Sequence, residues 1–212
     1  MTNPIEIACR ASLGRRLLLR AAVTAAVFAR SFADADAENP IGSVSAVRGD
    51  VFKEVRSKHV ALDAAAALFV MDVVGTGADS RAMLHLGTDT IVHIGANALL
   101  TIDSFLADAG GEITIQSGPI LYDHREDAAP AQMRIRSTFG QIAVRGTRFF
   151  AGPSAGVFGV FVERGSVIVT TAGAGVLVGA GQGTNIASVG AEPTPPAPWK
   201  PERVRAALES VQ

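Results

Sequence analysis

Between Ile41 and Gly190 the chain repeats one local pattern: apolar runs of about four to eight residues separated by Gly, Asp, Asn or Ser. Such runs are short for packed helices, and the residues between them form turns, so the pattern predicts many short strands joined tightly. Around Gly87-Thr88-Asp89 the alternation is clear: Ala82, Leu84, Leu86, Val92 and Ile94 interleave with Met83, His85, Ile91 and His93. One face of that hairpin is expected to be buried. Further strands are predicted over 99–102, 112–116, 120–123, 133–137, 142–144, 148–151, 157–163, 166–170, 176–178 and 185–187. Gly118, Gly146, Gly165 and Gly183 each separate two apolar runs. Each is expected to take a positive φ or to sit at a close backbone crossing. The recurrence of strand-glycine-strand units predicts an all-β fold, read as a stacked, β-solenoid-like architecture; a sandwich or irregular barrel also satisfies the pattern.

The two ends read differently. Gly14-Arg15-Arg16-Leu17-Leu18-Leu19-Arg20 precedes an uncharged, mildly apolar run from Ala21 to Ala29, and Ala35-Asp36-Ala37 offers a small-x-small cleavage site. Residues 1–37 therefore read as an export signal, with an arginine pair resembling a twin-arginine leader and the Sec route as the alternative. The apolar core is far shorter than the roughly 20 residues of a membrane span, and Arg20 and Arg30 bracket it. Cleavage near Ala37 would remove Cys9, the one cysteine, and with it any disulfide, thiolate ligand or thiol nucleophile. It would also remove five of the 19 basic and three of the 20 acidic residues, leaving 14 against 17. That mildly acidic remainder has no basic block to hold nucleic acid or anionic lipid. After a β domain over 38–190, residues 191–212 form a proline-rich linker and a short helix. Pro193, Pro195, Pro196, Pro198 and Pro201 stiffen the linker, and Val204, Ala207, Leu208 and Val211 make one apolar face. A helix this short is marginal alone and is expected to dock on its own domain.

Four stretches together resemble a known family. They are Ile41-Gly42-Ser43-Val44, the segment Leu84 to Ile91, the tract Ile142-Ala143-Val144-Arg145-Gly146-Thr147-Arg148-Phe149-Phe150, and Val160 to Val169 with Gly165 inside it. From about Ile41 to about Gly183 the chain resembles the FecR domain, named for the periplasmic part of the ferric-citrate regulator. The resemblance implies a twisted β-solenoid-like fold and a sensing or interaction module of the bacterial cell envelope. It makes Arg145, Gly146, Thr147, Phe149 and Gly165 the family-motif residues, with structural roles. It also implies a loop over Ala61 to Val70, where Ala64-Ala65-Ala66-Ala67 alone has good helix propensity. Transmembrane members of the family carry a cytoplasmic segment that handles a sigma factor and a C-terminal portion that meets an outer-membrane transporter. Only about 14 residues precede the arginine pair here, so direct sigma-factor handling is not expected. The reading is a stand-alone exported module, periplasmic or secreted, that binds an envelope protein or a glycan, without catalytic residues, cofactor or metal. The alternatives are a membrane-anchored signalling regulator and a hydrolase of envelope polymers.

Other motifs have simpler readings. Gly152-Pro153-Ser154-Ala155-Gly156 matches the nucleophile-elbow pattern, but a strand-like run follows it, and His59, His85, His93 and His124 all precede Ser154. A hairpin loop is expected instead. His85 and His93 are expected on one face of their hairpin, as two solvated histidines rather than a metal site, which needs more ligands. Asp123 and Asp127 lack calcium-loop spacing, and His124-Arg125-Glu126-Asp127 reads as a solvated charged loop. The glycines from Gly173 to Gly183 lack the lysine of a phosphate loop. Arg145 is expected to bridge strands, and Thr147 to hydrogen-bond a turn backbone, rather than to bind a ligand.

Overall fold

The structure, a computed structural model, describes residues 39–212 apart from 108 and 130; the export signal expected over 1–37 lies outside the described residues. In chain order the strands are β1 (Gly42–Arg48), β2 (Val51–Val55), β3 (Lys58–Ala61), β4 (Ala67–Leu68), β5 (Val73–Thr76), β6 (Arg81–Leu86), β7 (Thr90–Ile94), β8 (Leu99–Leu106) and β9 (Gly110–Ser117). They continue with β10 (Ile120–His124), β11 (Gln132–Ser137), β12 (Gly140–Arg145), β13 (Arg148–Ser154), β14 (Val157–Arg164), β15 (Ser166–Thr171), β16 (Ala174–Gly179), β17 (Gln182–Ile186) and β18 (Ala197–Pro198). One helix, α1 (Pro201–Glu209), follows. Among the described residues no helix is long and apolar enough to cross a membrane. In the stretch Ala64 to Ala67, Ala64 and Ala65 form a turn and Ala67 opens β4, with no helix.

The strands form two nine-stranded sheets: β18-β17-β14-β13-β10-β7-β6-β1-β4, here sheet A, and β16-β15-β12-β11-β9-β8-β5-β2-β3, here sheet B. Apart from β4, which lies outside β1, and β3, which lies outside β2, both orders run with the sequence, because the chain lays strands in one sheet, crosses to the other, and returns one step further along. The recurring strand-glycine-strand units that read as a solenoid in the sequence are the turns of this back-and-forth path. The architecture itself is different, with no solenoid among the described residues: apart from the parallel β9–β11 pair, the strands run antiparallel to their neighbours, hairpin by hairpin. The all-β class and the C-terminal helix stand.

Alternation sets the faces. In β6, Ala82, Leu84 and Leu86 point inward while Arg81, Met83 and His85 are half-exposed. Inward residues of both sheets, among them Leu84, Ile94, Tyr122, Phe149, Val160, Ile102, Ile113, Ile135 and Val169, form a single core. Burying each large apolar side chain contributes about 1.5–3 kcal/mol.

Three strands of sheet A are apolar on both faces, which is the mark of a sheet covered on both sides. Leu121, Phe150 and Phe161 point away from the core and meet Ala207, Val211, Val204 and Leu208 of the C-terminal segment. Pro201 starts α1 in the first turn, where its missing N–H costs nothing, and Glu202 suits the helix N-terminus. The helix therefore docks on its own domain. The preceding prolines are extended and held along β17: Thr184 Oγ1 donates to the Thr194 carbonyl at 2.6 Å, the Thr194 N–H donates to the Asn185 carbonyl at 2.9 Å, and β18 pairs with β17. Trp199 stacks on Phe161 with ring centres 5.3 Å apart. The indole fits because Gly159 lies beneath it; a Cβ there would sit 2.7 Å from the ring. Gly183 also meets the indole, and this close approach, not a positive φ, is what requires glycine there. The Arg203 guanidinium lies 3.6 Å from the centre of the Trp199 ring.

Candidate functional site

The motif tract is the crossing from sheet B to sheet A. Arg145 ends β12, its backbone opposite Gln132. Gly146 turns the chain at φ +59°, and Arg148 opens β13 in the other sheet. One hairpin later the chain crosses back at Gly165, φ +80°, between β14 and β15. The two crossings lie against each other. A Cβ on Gly165 would stand 2.6 Å from Thr147 Cγ2 and 2.9 Å from the Gly146 carbonyl oxygen, whereas a Cβ on Gly146 would meet nothing within 4 Å. Both glycines have the expected positive φ, but the crowding belongs to Gly165.

Thr147 is fully buried. Its carbonyl accepts the His124 N–H at 3.0 Å, tying the crossing to the end of β10. Its hydroxyl makes no hydrogen bond among the described residues, contrary to the expected bond to a turn backbone. The reason is position: the side chain is wedged beneath Gly165, so its methyl packs and its Oγ1 faces no acceptor. Phe149, fully buried, packs on Tyr122 with ring centres 5.5 Å apart. Burial pushes the Tyr122 phenol up to about 12. These motif residues thus fix a corner of the sandwich.

On the outer face of sheet A beside that corner lies a charge network the sequence reading did not find. Arg148 Nε donates to Glu163 at 2.6 Å and its Nη1 donates to Asp123. Arg164 donates through Nη2 to Asp123 at 3.0 Å and to the His124 carbonyl at 2.6 Å. Burial alone would make Arg148 easier to deprotonate, but the bonds to Glu163 and Asp123 outweigh it and raise its pKa. The signal was present: Asp123, Arg148 and Glu163 all fall at outward positions of their strands. The strand order that gathers them was not visible.

His85 and His93 do share the outer face, as expected, but diagonally: His85 opposes Ile91 and His93 opposes Met83. Among the described residues no group of three His, Cys, Asp or Glu side chains is arranged to hold a metal ion. His93 is half-buried, not solvated. Its pKa is lowered first by burial, then by Arg148 and His85, with Asp123 opposing. His124 is 2% exposed, not part of a solvated loop. Its Nε2 donates to the Ala129 carbonyl at 3.0 Å, which leaves Nδ1 to accept from the Thr90 hydroxyl at 3.1 Å. Ser154 ends β13 at a two-residue hairpin turn, with Ala155 at φ +53° and Gly156 at φ +80°, and a strand follows. Its Oγ accepts from Arg203 Nε at 3.0 Å. Arg203 also reaches Asn185 Oδ1 at 2.7 Å, and burial lowers its pKa.

Residues 72–168 match the family model described as FecR protein. Two crystal structures of a "putative anti-sigma factor" from Parabacteroides distasonis, at 2.50 and 1.65 Å resolution, are similar to this chain with TM-scores of 0.53 at 16% identity. The likeness covers 64% of this chain and 63% and 64% of those chains, less than two-thirds of their length, and at that identity it is one of fold. No curated protein sequence matches the chain.

Proposed function

Because residues 72–168 of this chain are a FecR domain, we propose that it is a non-catalytic sensing and interaction module of the bacterial cell envelope, acting on the periplasmic side through a protein or glycan partner. The observation that supports this most is where the motif's chemistry goes. Thr147 and Phe149 are fully buried, Gly165 presses on the Gly146-Thr147 crossing, and Arg148 is paired with two carboxylates. Groups engaged in this way build a rigid corner. Ser154 is held by Arg203 in a hairpin followed by a strand, which is not the setting that activates a serine.

The test has two arms. A fluorophosphonate probe should leave Ser154 unlabelled; labelling that Ser154→Ala abolishes would overturn the non-catalytic reading. Affinity capture from periplasmic extract, compared with capture by heat-unfolded protein, should return a saturable envelope partner. Capture of only what the unfolded control also retains would count against an interaction module.

The second reading is a membrane-anchored signalling regulator; the fold shared with the "putative anti-sigma factor" supports the signalling role alone. N-terminal sequencing separates the two. A start near Glu38 in soluble periplasmic protein supports the exported module, and an intact Met1 in the membrane fraction supports the anchor.

A further inference from the structure

Strand edges are templates for pairing with another chain, and proteins blunt them with brevity, charge, proline or bulges. Among the described residues the two sheets have four edges: β4 and β18 in sheet A, β3 and β16 in sheet B. Three are guarded. β4 and β18 have two residues each, and β18 ends in Pro198 within the proline-rich strap. β3 carries Lys58 and has four residues. β16 has six, Ala174 to Gly179, with no proline and no charge. No charged residue occurs anywhere from Gly165 to Ala191.

The outer face beside this edge carries an apolar row as well. The register places Arg134, Ala143, Ile168 and Leu177 in one row across β11, β12, β15 and β16. The row is charged at its inner end, where Arg134 bonds Glu112 at 3.1 Å. It becomes more apolar toward the edge, with Ile168 49% and Leu177 64% exposed. These residues line a shallow groove of about 630 Å³.

We infer that β16 is a dimerisation edge, at which two copies of this chain pair antiparallel through Gly175–Gly179 about a two-fold axis at Leu177. A strand added here must offer an uncharged backbone segment and an apolar side chain beside Leu177, and β16 itself meets both requirements. Two-fold pairing sets Leu177 against the same residue of the second copy. The row then continues into Ile168 and Ala143 of that copy, with the Arg134 charges kept at the two far ends. No like charges are brought together. The two-fold operator also closes the assembly at a dimer rather than a filament. One strand pair covers less than the roughly 800 Å² per partner of a standard stable interface, so association is concentration-dependent.

The test uses the full-length chain with Cys9→Ser, so that one introduced cysteine is the only thiol. Leu177→Cys, treated with a short bis-maleimide over a concentration series, should give a cross-linked dimer. Val60→Cys on the β3 edge, at a position 51% exposed, should give little. In sedimentation velocity, Leu177→Lys should weaken dimerisation about tenfold or more, with an unchanged melting temperature. Equal cross-linking at the two positions, a monomer throughout the series, or a dimer that survives Leu177→Lys would overturn the inference. So would a β16 that pairs only with an extended peptide of another protein.

Discussion

Gly165→Ala compared with Gly146→Ala tests whether the motif is a packed corner. Both glycines lie in the left-handed region, so each alanine carries the same intrinsic penalty of about 1–2 kcal/mol. Their surroundings differ. At Gly146 the new methyl enters open space, and nothing is added. At Gly165 it meets Thr147 Cγ2 at 2.6 Å and the Gly146 carbonyl oxygen at 2.9 Å. One contact is backbone and the other a β-branched side chain buried on all sides, so neither yields without moving the crossing. Overpacking of this kind adds about 1–3 kcal/mol. The expected losses are about 1.5 kcal/mol for Gly146→Ala and about 3.5 kcal/mol for Gly165→Ala. For a domain of this size 1 kcal/mol shifts Tm by about 2–4 °C, so the drops should be about 3–6 °C and about 7–14 °C. Urea unfolding with m-values held in common gives the free energies directly. Equal losses, or a larger one at Gly146, would refute the claim that the two crossings are packed together. Gly146→Val should cost only the strain of a β-branched residue at positive φ, with no contribution from crowding.

Thr147→Val should be neutral or slightly stabilising in the same unfolding assay, because it replaces a buried hydroxyl that makes no hydrogen bond while keeping the packed methyl. A loss of more than about 1 kcal/mol would mean that the hydroxyl has a partner. His93, whose pKa is lowered in the fold, takes up its proton less readily there than in the unfolded chain. Its contribution is therefore intact above 6.5, its ordinary value, and declines as pH falls from there toward the lower folded value. His93→Gln should flatten that part of the stability profile, and an unchanged slope would contradict the assigned surroundings. Replacing Arg15 and Arg16 with lysine should block export, as judged by cell fractionation, because a twin-arginine receptor reads the guanidinium pair; undiminished export would leave the Sec route.

The strands were legible because a half-buried ladder imprints its period on the sequence: each of the ten runs marked beyond the first hairpin coincides with a strand between β8 and β17. Hairpin registers were also within reach, since Gly87-Thr88-Asp89 and Ala155-Gly156 fix them locally. The assignment of strands to sheets was not. β12 and β13 look like a hairpin in sequence, yet they belong to different sheets, and the Gly146 turn that separates them resembles any other glycine turn. Leu121, Phe150 and Phe161 carry the signal of a covered outer face. Apolar residues on the outward face of three strands require a cover, and the only amphipathic helix predicted nearby was the C-terminal one. The charge network needed the order β10-β13-β14, which no local pattern encodes.

A motif built this way governs where partner-binding mutations can be found. Substitutions at Gly146, Phe149 or Gly165, and those at Thr147 that remove its packed methyl, act on a buried crossing, so any loss of binding they cause is accompanied by a loss of stability. A recognition surface behaves differently, because its side chains are exposed in the free protein and their replacement changes stability by less than about 0.5 kcal/mol. The outward row that ends at Leu177, and the exposed edge of β3 with Lys58, satisfy that condition; the family tract does not. A scan that measures binding and melting temperature on the same variants will therefore separate the residues that make this domain from the residues that a partner reads.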